Sequence, residues 1–170
     1  MKYPINLSKK KIIFFFKSIG LEHLTGNVIT KEKKINDIRL SKTPYKPDLV
    51  DLYRLFQFTT LNKRTTILEY GTGWSTLILH LALENNRKKY SNQPFKRCSN
   101  PYTLFVVDND KKFLKISKKR IKNFSRESKR VNFTHSESRM TKYKGKYASY
   151  YKFHPQVNPD LIYLDGPDQF

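Results

Sequence analysis

Read as alternating apolar and polar stretches, the chain divides near residue 45. Before that point the apolar clusters are short and embedded in lysine, as in Ile12-Ile13-Phe14-Phe15-Phe16 behind Lys9-Lys10-Lys11. Five apolar residues are too few for a secretory core or a membrane span. The run is read as a helix or strand packing on the core, in preference to a basic interfacial anchor. Thr43-Pro44-Tyr45-Lys46-Pro47-Asp48 is a break, because two prolines hold the backbone extended. Asp48 can then cap a helix whose stripe is Leu49, Leu52, Tyr53, Leu55 and Phe56, ending near Thr60.

From there the pattern alternates between two periods. A strand is expected from Thr66 to Glu69, and after a glycine turn a helix from Trp74 to about Asn85. Residues 85–101 are polar and basic and read as a loop or insertion. Thr103 to Val107 is a continuous apolar run ending in Asp108, which suits a strand buried on both faces. Asp110 can cap a helix carrying Phe113, Leu114, Ile116, Lys119, Ile121 and Phe124. A third strand is expected at Val131–Thr134 and a fourth, buried strand at Leu161–Leu164. Residues 138–156 are rich in Tyr and Lys and lack a clean period. Strands alternating with helices predict an α/β fold with a parallel sheet and right-handed crossovers. The expected organisation is a basic, helical extension or cap over residues 1–45 and one α/β domain over 46–170.

The candidate chemistry lies at the strand ends. Glu69, Asp108 and Asp165 stand at or just after three of the four strands. In an open α/β sheet, ligands bind beyond the carboxyl ends of the strands, where strand order reverses. The three acids are therefore expected at one site. Gly71 and Gly73 would let the chain turn sharply and a ligand approach closely, and the helix from Trp74 would present its positive end. Asp108 is placed to accept hydrogen bonds from a ribose diol.

These residues resemble class I S-adenosylmethionine-dependent methyltransferases, over about residues 48–170. Glu69-Tyr70-Gly71-Thr72-Gly73-Trp74-Ser75-Thr76 is similar to that family's glycine-rich first motif, with Ser75 in place of a third glycine. Val106-Val107-Asp108-Asn109-Asp110 resembles its second motif, and Asp160 to Pro167 its fourth strand and following turn. The resemblance implies a Rossmann-like sheet with flanking helices, S-adenosylmethionine as cofactor, and methyl transfer to an acceptor the motifs do not name. It also implies roles. The loop Gly71, Thr72 and Gly73, with Trp74 and Ser75, would cradle the methionine part, and Glu69 would support the loop or meet the amino group. Asp108, with Asn109, would bind the ribose, and Ser136 and Glu137 fall where the family contacts adenine. Asp165 would face the reaction centre, and His135 is a candidate base after the third strand. The metal ligands of catechol-type relatives lie downstream of the position matched by Asp165, so no metal is expected. The family sheet continues past its fourth strand. The chain's end, five residues after Asp165, therefore reads as a truncation that leaves an edge for a partner chain or dimer to cover.

Composition adds two things. The net charge is +20 and lysine far outnumbers arginine. A polyanionic partner is one reading, and compositional bias is the other. Cys98 is the only cysteine, which excludes an intrachain disulfide and makes a reducing, cytoplasmic location the default. His80 is read as a boundary residue of its helix, and Tyr143, Tyr147, Tyr150 and Tyr151 as possible stacking rings or an exposed segment over the cleft. Three rival readings stay open. A non-catalytic basic module for RNA or an acidic polymer would show steep salt dependence. An aminopropyl transferase would share the fold. A nicotinamide-dependent dehydrogenase would want a third glycine at Thr76 and an acid about 20 residues on, and fits less well.

Overall fold

The computed structural model describes residues 2–3, 8–27, 46–91, 99–125 and 128–166. Thr43-Pro44-Tyr45, Cys98, Pro167 and most of the expected N-terminal cap lie outside the described residues. The order of elements is α1 (Lys9–Ser18), a short 3-10 turn, α2 (Leu49–Leu61), β1 (Thr66–Tyr70), α3 (Trp74–Tyr90), β2 (Thr103–Asp108) and α4 (Lys111–Phe124). Then follow β3 (Val131–His135), β4 (Ser138–Tyr143), β5 (Lys146–Tyr151) and β6 (Leu161–Leu164).

Four parallel strands form the sheet in the order β3-β2-β1-β6. Order reverses beside β1, since β2 and β3 lie on one side of it and β6 on the other. With helices packed on this sheet the fold is α/β and compatible with a Rossmann-like arrangement. In β1, Thr66 to Glu69 are all buried, as a central parallel strand requires. Its N-terminal end is held to β6 by Asp160, whose carboxylate accepts from the Thr65 and Thr66 amides at 2.8 and 3.1 Å. β6 pairs with β1 on one side, and among the described residues no strand pairs with its other side. Ile162 and Leu164 are exposed and Leu161 and Tyr163 half-buried, so β6 is not the buried strand its apolar run predicts: its two outward side chains are left uncovered among the described residues.

The helices form where their caps and stripes place them. The Asp48 carboxylate accepts from the Val50 and Asp51 amides to cap α2, and Asp110 does the same for α4 through Lys112 and Phe113. Ile12, Phe15 and Phe16 of α1 are buried, and Phe15 packs its ring on Tyr53 and Phe56 of α2 at 5.0 and 4.6 Å. Leu77, Ile78, Leu79 and Leu83 of α3 close the core against β1 and β2.

Two further expectations require correction. The helix from Trp74 runs to Tyr90, one turn further into the basic stretch read as a loop. Its C-terminal Arg87, Lys88 and Lys89 suit the negative end of the helix dipole. His80 is buried, not a boundary residue: its Nε2 lies 2.7 Å from Ser125 Oγ, which donates to Glu84 Oε1 at 2.5 Å. Residues 138–151, which show no clean period, form an antiparallel hairpin separate from the main sheet. Its turn residues, Lys144 and Gly145, both have positive φ, as a two-residue type I′ turn demands.

Candidate functional site

The glycine turn is built by the strands on either side of it. Gly71 donates its amide to Val107 O at 2.8 Å, and Asp165 donates its amide to Tyr70 O at 2.8 Å. The ladder thus continues past β1 on both flanks. Gly71 adopts φ +90°, and a Cβ there would lie 2.7 Å from the carbonyl carbon and oxygen of Asp165. No side chain fits. The constraint differs from the expected one: Gly71 lets the end of β6 approach β1, and ligand approach is not what requires it. Gly73 is different. Its φ of −169° is ordinary extended backbone, and a Cβ would meet only Ser75 Oγ at 3.8 Å. The bare Cα of Gly73 therefore leaves space in the cleft that its residue lines.

That cleft has a volume of about 350 Å³, within the range of small-molecule sites. Gly71, Thr72, Gly73, Trp74 and Ser75 form its floor, and Asp108 and Asn109 stand at the tip of β2. Asp165 and Gly166 stand at the tip of β6. The start of α2 contributes Asp48 and Asp51, and α4 contributes Phe113, Ile116 and Arg120. Asp108 is buried, and its Oδ1 accepts from the Asp110 amide at 2.7 Å, which fixes the carboxylate at the rim. Asp165 is exposed.

Glu69 lies beneath the loop, fully buried, and does not line the cleft. Ser75 donates to its Oε1 at 2.6 Å, while its Oε2 has no hydrogen-bond partner. Burial pushes its pKa up to about 8. The hydroxyls of Ser75 and Thr76 oppose that rise, and the charges of Asp165 and Asp108 add to it. The three strand-end acids therefore feel one another, although only two face the opening. Tyr163 of β6 is pushed up to about 12, by burial first and then by Asp165, Glu69 and Asp51.

The loop carries further internal bonds. Thr76 Oγ1 accepts from the Gly73 amide at 3.1 Å and lies 3.0 Å from Thr72 Oγ1. Arg120 donates from Nη1 to Gly73 O at 2.8 Å, and its guanidinium sits 3.9 Å from the centre of the Trp74 ring. This cation–π contact joins α4 to the loop and walls one side of the cleft.

Three expected residues stand elsewhere. His135 is exposed at the end of β3 with its Nε2 3.1 Å from Asn109 O, and it does not line the cleft. Ser136 is buried, donates its amide to Asp108 O at 3.0 Å and accepts from the Phe153 amide at 2.8 Å, so its polar groups serve the backbone. Glu137 is exposed and ion-paired with Lys152, away from the cleft. Sequence reasoning missed Arg120 and Tyr163, which line it, and of the four tyrosines read as stacking rings or a segment over the cleft only Tyr151 lines it. Arg120 was within reach of pattern reading: it follows Phe113 by seven and Ile116 by four, on the same helical face. Tyr151 stacks on Tyr70 with ring centres 5.5 Å apart, a pairing that depends on a hairpin the pattern does not show.

Among the described residues no group of three or more His, Cys, Asp or Glu side chains has the arrangement of a metal site, and no helix is long and apolar enough to cross a membrane. A scan against protein-family models gives no match, and no curated protein matches the chain.

Proposed function

We propose that the cleft binds S-adenosylmethionine and that the chain belongs to the chemistry of methyl transfer. The observation that carries this reading is the set of acids and glycines at the point where strand order reverses: Asp108 and Asp165 on the strands flanking β1, with the Gly71–Gly73 loop between them. The fit rests on Gly73, where a side chain would enter the space needed beside the loop, and on the fixed carboxylate of Asp108. Asp108 would hold the ribose hydroxyls. The loop and the first amides of α3 would receive the carboxylate of the methionine part at a helix N-terminus. Arg120 and Trp74 would close that side against water.

When bound, the cofactor supplies a methyl group on a positively charged sulfur. The chain's own contribution is orientation. Asp165, exposed at the end of β6 and lining the cleft, would face the entering acceptor. Holding two reactants in line accounts for much of the acceleration in such transfers. A negatively lined rim also suits a cationic ligand, since Asp48, Asp51, Asp108 and Asp165 outnumber Lys46 and Arg120.

Calorimetric titration with S-adenosylhomocysteine, with NAD as control, tests the reading. Binding of the first alone, lost in Asp108→Ala, supports it. A folded chain that binds neither, or binds NAD, refutes it.

A further inference from the structure

We propose that the β4–β5 hairpin is a binding arm for single-stranded nucleic acid. From Ser138 to Tyr151 the arm carries Arg139, Lys142, Lys144 and Lys146 and no acidic residue. It also carries Tyr143, Tyr147, Tyr150 and Tyr151. The first three are 66%, 72% and 46% exposed, whereas Tyr151 is buried at the base. The register sets three of the four cations against a ring. Arg139 pairs across with Tyr150 and Lys146 with Tyr143 on one face, and Lys142 pairs with Tyr147 on the other. Lys142 Nζ lies 5.1 Å from the Tyr147 ring and Lys144 Nζ lies 5.4 Å from the Tyr143 ring.

Folding alone does not account for these rings. A two-stranded ribbon is marginal in water, and rings that stay exposed contribute little burial to it. The ribbon is instead held at its base. Tyr151 stacks on Tyr70, the Lys152 amide donates to Glu137 O at 2.9 Å, and the Phe153 amide donates to Ser136 Oγ. A fixed base with exposed rings among cations is the arrangement that receives unpaired bases: the rings stack and the cations follow the phosphates. A duplex hides its base faces and would leave the rings idle. A membrane is disfavoured by the tip, where Lys142, Lys144 and Lys146 would have to enter the apolar layer first. The arm is separate from the cofactor reading, because its distal residues do not line the cleft.

The test is fluorescence anisotropy of the full chain with a short labelled oligouridylate and a short labelled oligothymidylate. Duplex of equal length and polyglutamate serve as competitors. Binding of either single strand is expected to weaken steeply between about 50 and 200 mM salt. The source is RNA if the first binds more tightly and DNA if the second does. The triple variant Tyr143→Ala/Tyr147→Ala/Tyr150→Ala keeps the net charge and is expected to bind at least about tenfold more weakly. The corresponding Tyr→Phe triple keeps the rings and is expected to bind as wild type does, which separates stacking from loss of the hairpin. Lys142→Gln/Lys144→Gln/Lys146→Gln should reduce the slope of log affinity against log salt by about 2. The proposal is overturned if neither oligonucleotide binds, if the alanine triple binds like wild type, or if duplex or polyglutamate competes as well as single strand.

Discussion

Gly71 and Gly166 face each other backbone to backbone. A Cβ on Gly166 would lie 3.0 Å from the Cα of Gly71, and one on Gly71 would lie 3.0 Å from the amide nitrogen of Gly166. Each glycine therefore makes room for the other, and the tips of β1 and β6 close together only because both side chains are missing. The two glycines of the loop then have different tasks. Gly71 serves the sheet and Gly73 serves the cleft.

Alanine at the two positions should separate those tasks. Gly71→Ala combines a left-handed φ with a backbone clash, and should cost about 3 kcal/mol or more of stability. Gly73→Ala meets neither obstacle and should leave stability within about 0.5 kcal/mol of wild type. It should instead weaken S-adenosylhomocysteine binding at least tenfold, because the new methyl enters the cleft. Urea denaturation and calorimetry on the same preparations check both. Equal destabilisation by the two substitutions would refute the division.

Glu69 predicts an unusual dependence of stability on pH. Its folded-state pKa is raised from 4.5 to about 8, chiefly by burial. Between these values the folded chain holds a proton that the unfolded chain has released. Stability must then fall as pH rises from about 4.5 to about 8, by at most about 1.4 kcal/mol per pH unit from this group. Above pH 8 this contribution is flat. Glu69→Gln removes the titration and should gain on wild type steadily across that window. Denaturation midpoints for both proteins at pH 5, 6, 7 and 8 give the comparison, and a constant difference would show that Glu69 is ionised throughout.

Arg120 reaches the loop from a helix that begins 40 residues later than Gly71. Removing it breaks the bond to Gly73 O and uncovers Trp74. Arg120→Ala should weaken S-adenosylhomocysteine binding about tenfold and lower stability by about 1 kcal/mol. Arg120→Lys should fall between wild type and alanine, since an ammonium keeps the charge but not the flat face. Calorimetry with the three proteins tests this order. Unchanged affinity in Arg120→Ala would mean that the Trp74 wall is held by its own packing.

The strand ends were legible because each of two strands is an apolar run that stops at an acid, although only β2 is largely buried and β6 is not. Val106-Val107 runs apolar until Asp108, and Leu161 to Leu164 runs apolar until Asp165, so the acids could be placed at one rim before any contact was known. The caps at Asp48 and Asp110 were legible for a similar local reason. The β4–β5 hairpin was not, because neither face of its distal part is buried and its Lys–Tyr alternation has no apolar side. Gly-containing turns mark hairpins best when Asn or Asp precedes the glycine, and here Lys144 takes that place. The true constraint on Gly71 was also hidden, since it comes from a backbone almost 100 residues away. The neighbours of His135, Ser136 and Glu137 depend on how the chain turns after β3, which pattern reading does not give.

A last prediction concerns the polar contact that joins α3 to the end of α4. Ser125 donates to Glu84 and meets His80, and all three sit away from the cleft. Burial pushes the Glu84 pKa up, but hydrogen bonds from His80 and Ser125 outweigh it and hold the group below 4.5. A depressed folded-state pKa means stabilisation that is present above 4.5 and is lost as pH falls through the lower, folded value. Ser125→Ala removes one of those bonds and leaves His80 Nε2 without its hydroxyl. It should cost about 1–3 kcal/mol at pH 7. The gap to wild type should narrow as pH is taken below about 4.5, where Glu84 takes up its proton. Urea denaturation at pH 7 and pH 4, on wild type and variant, measures both gaps. A gap that stays constant with pH would assign the value of Ser125 to packing and to His80 alone, and Glu84 would then be a bystander at the surface.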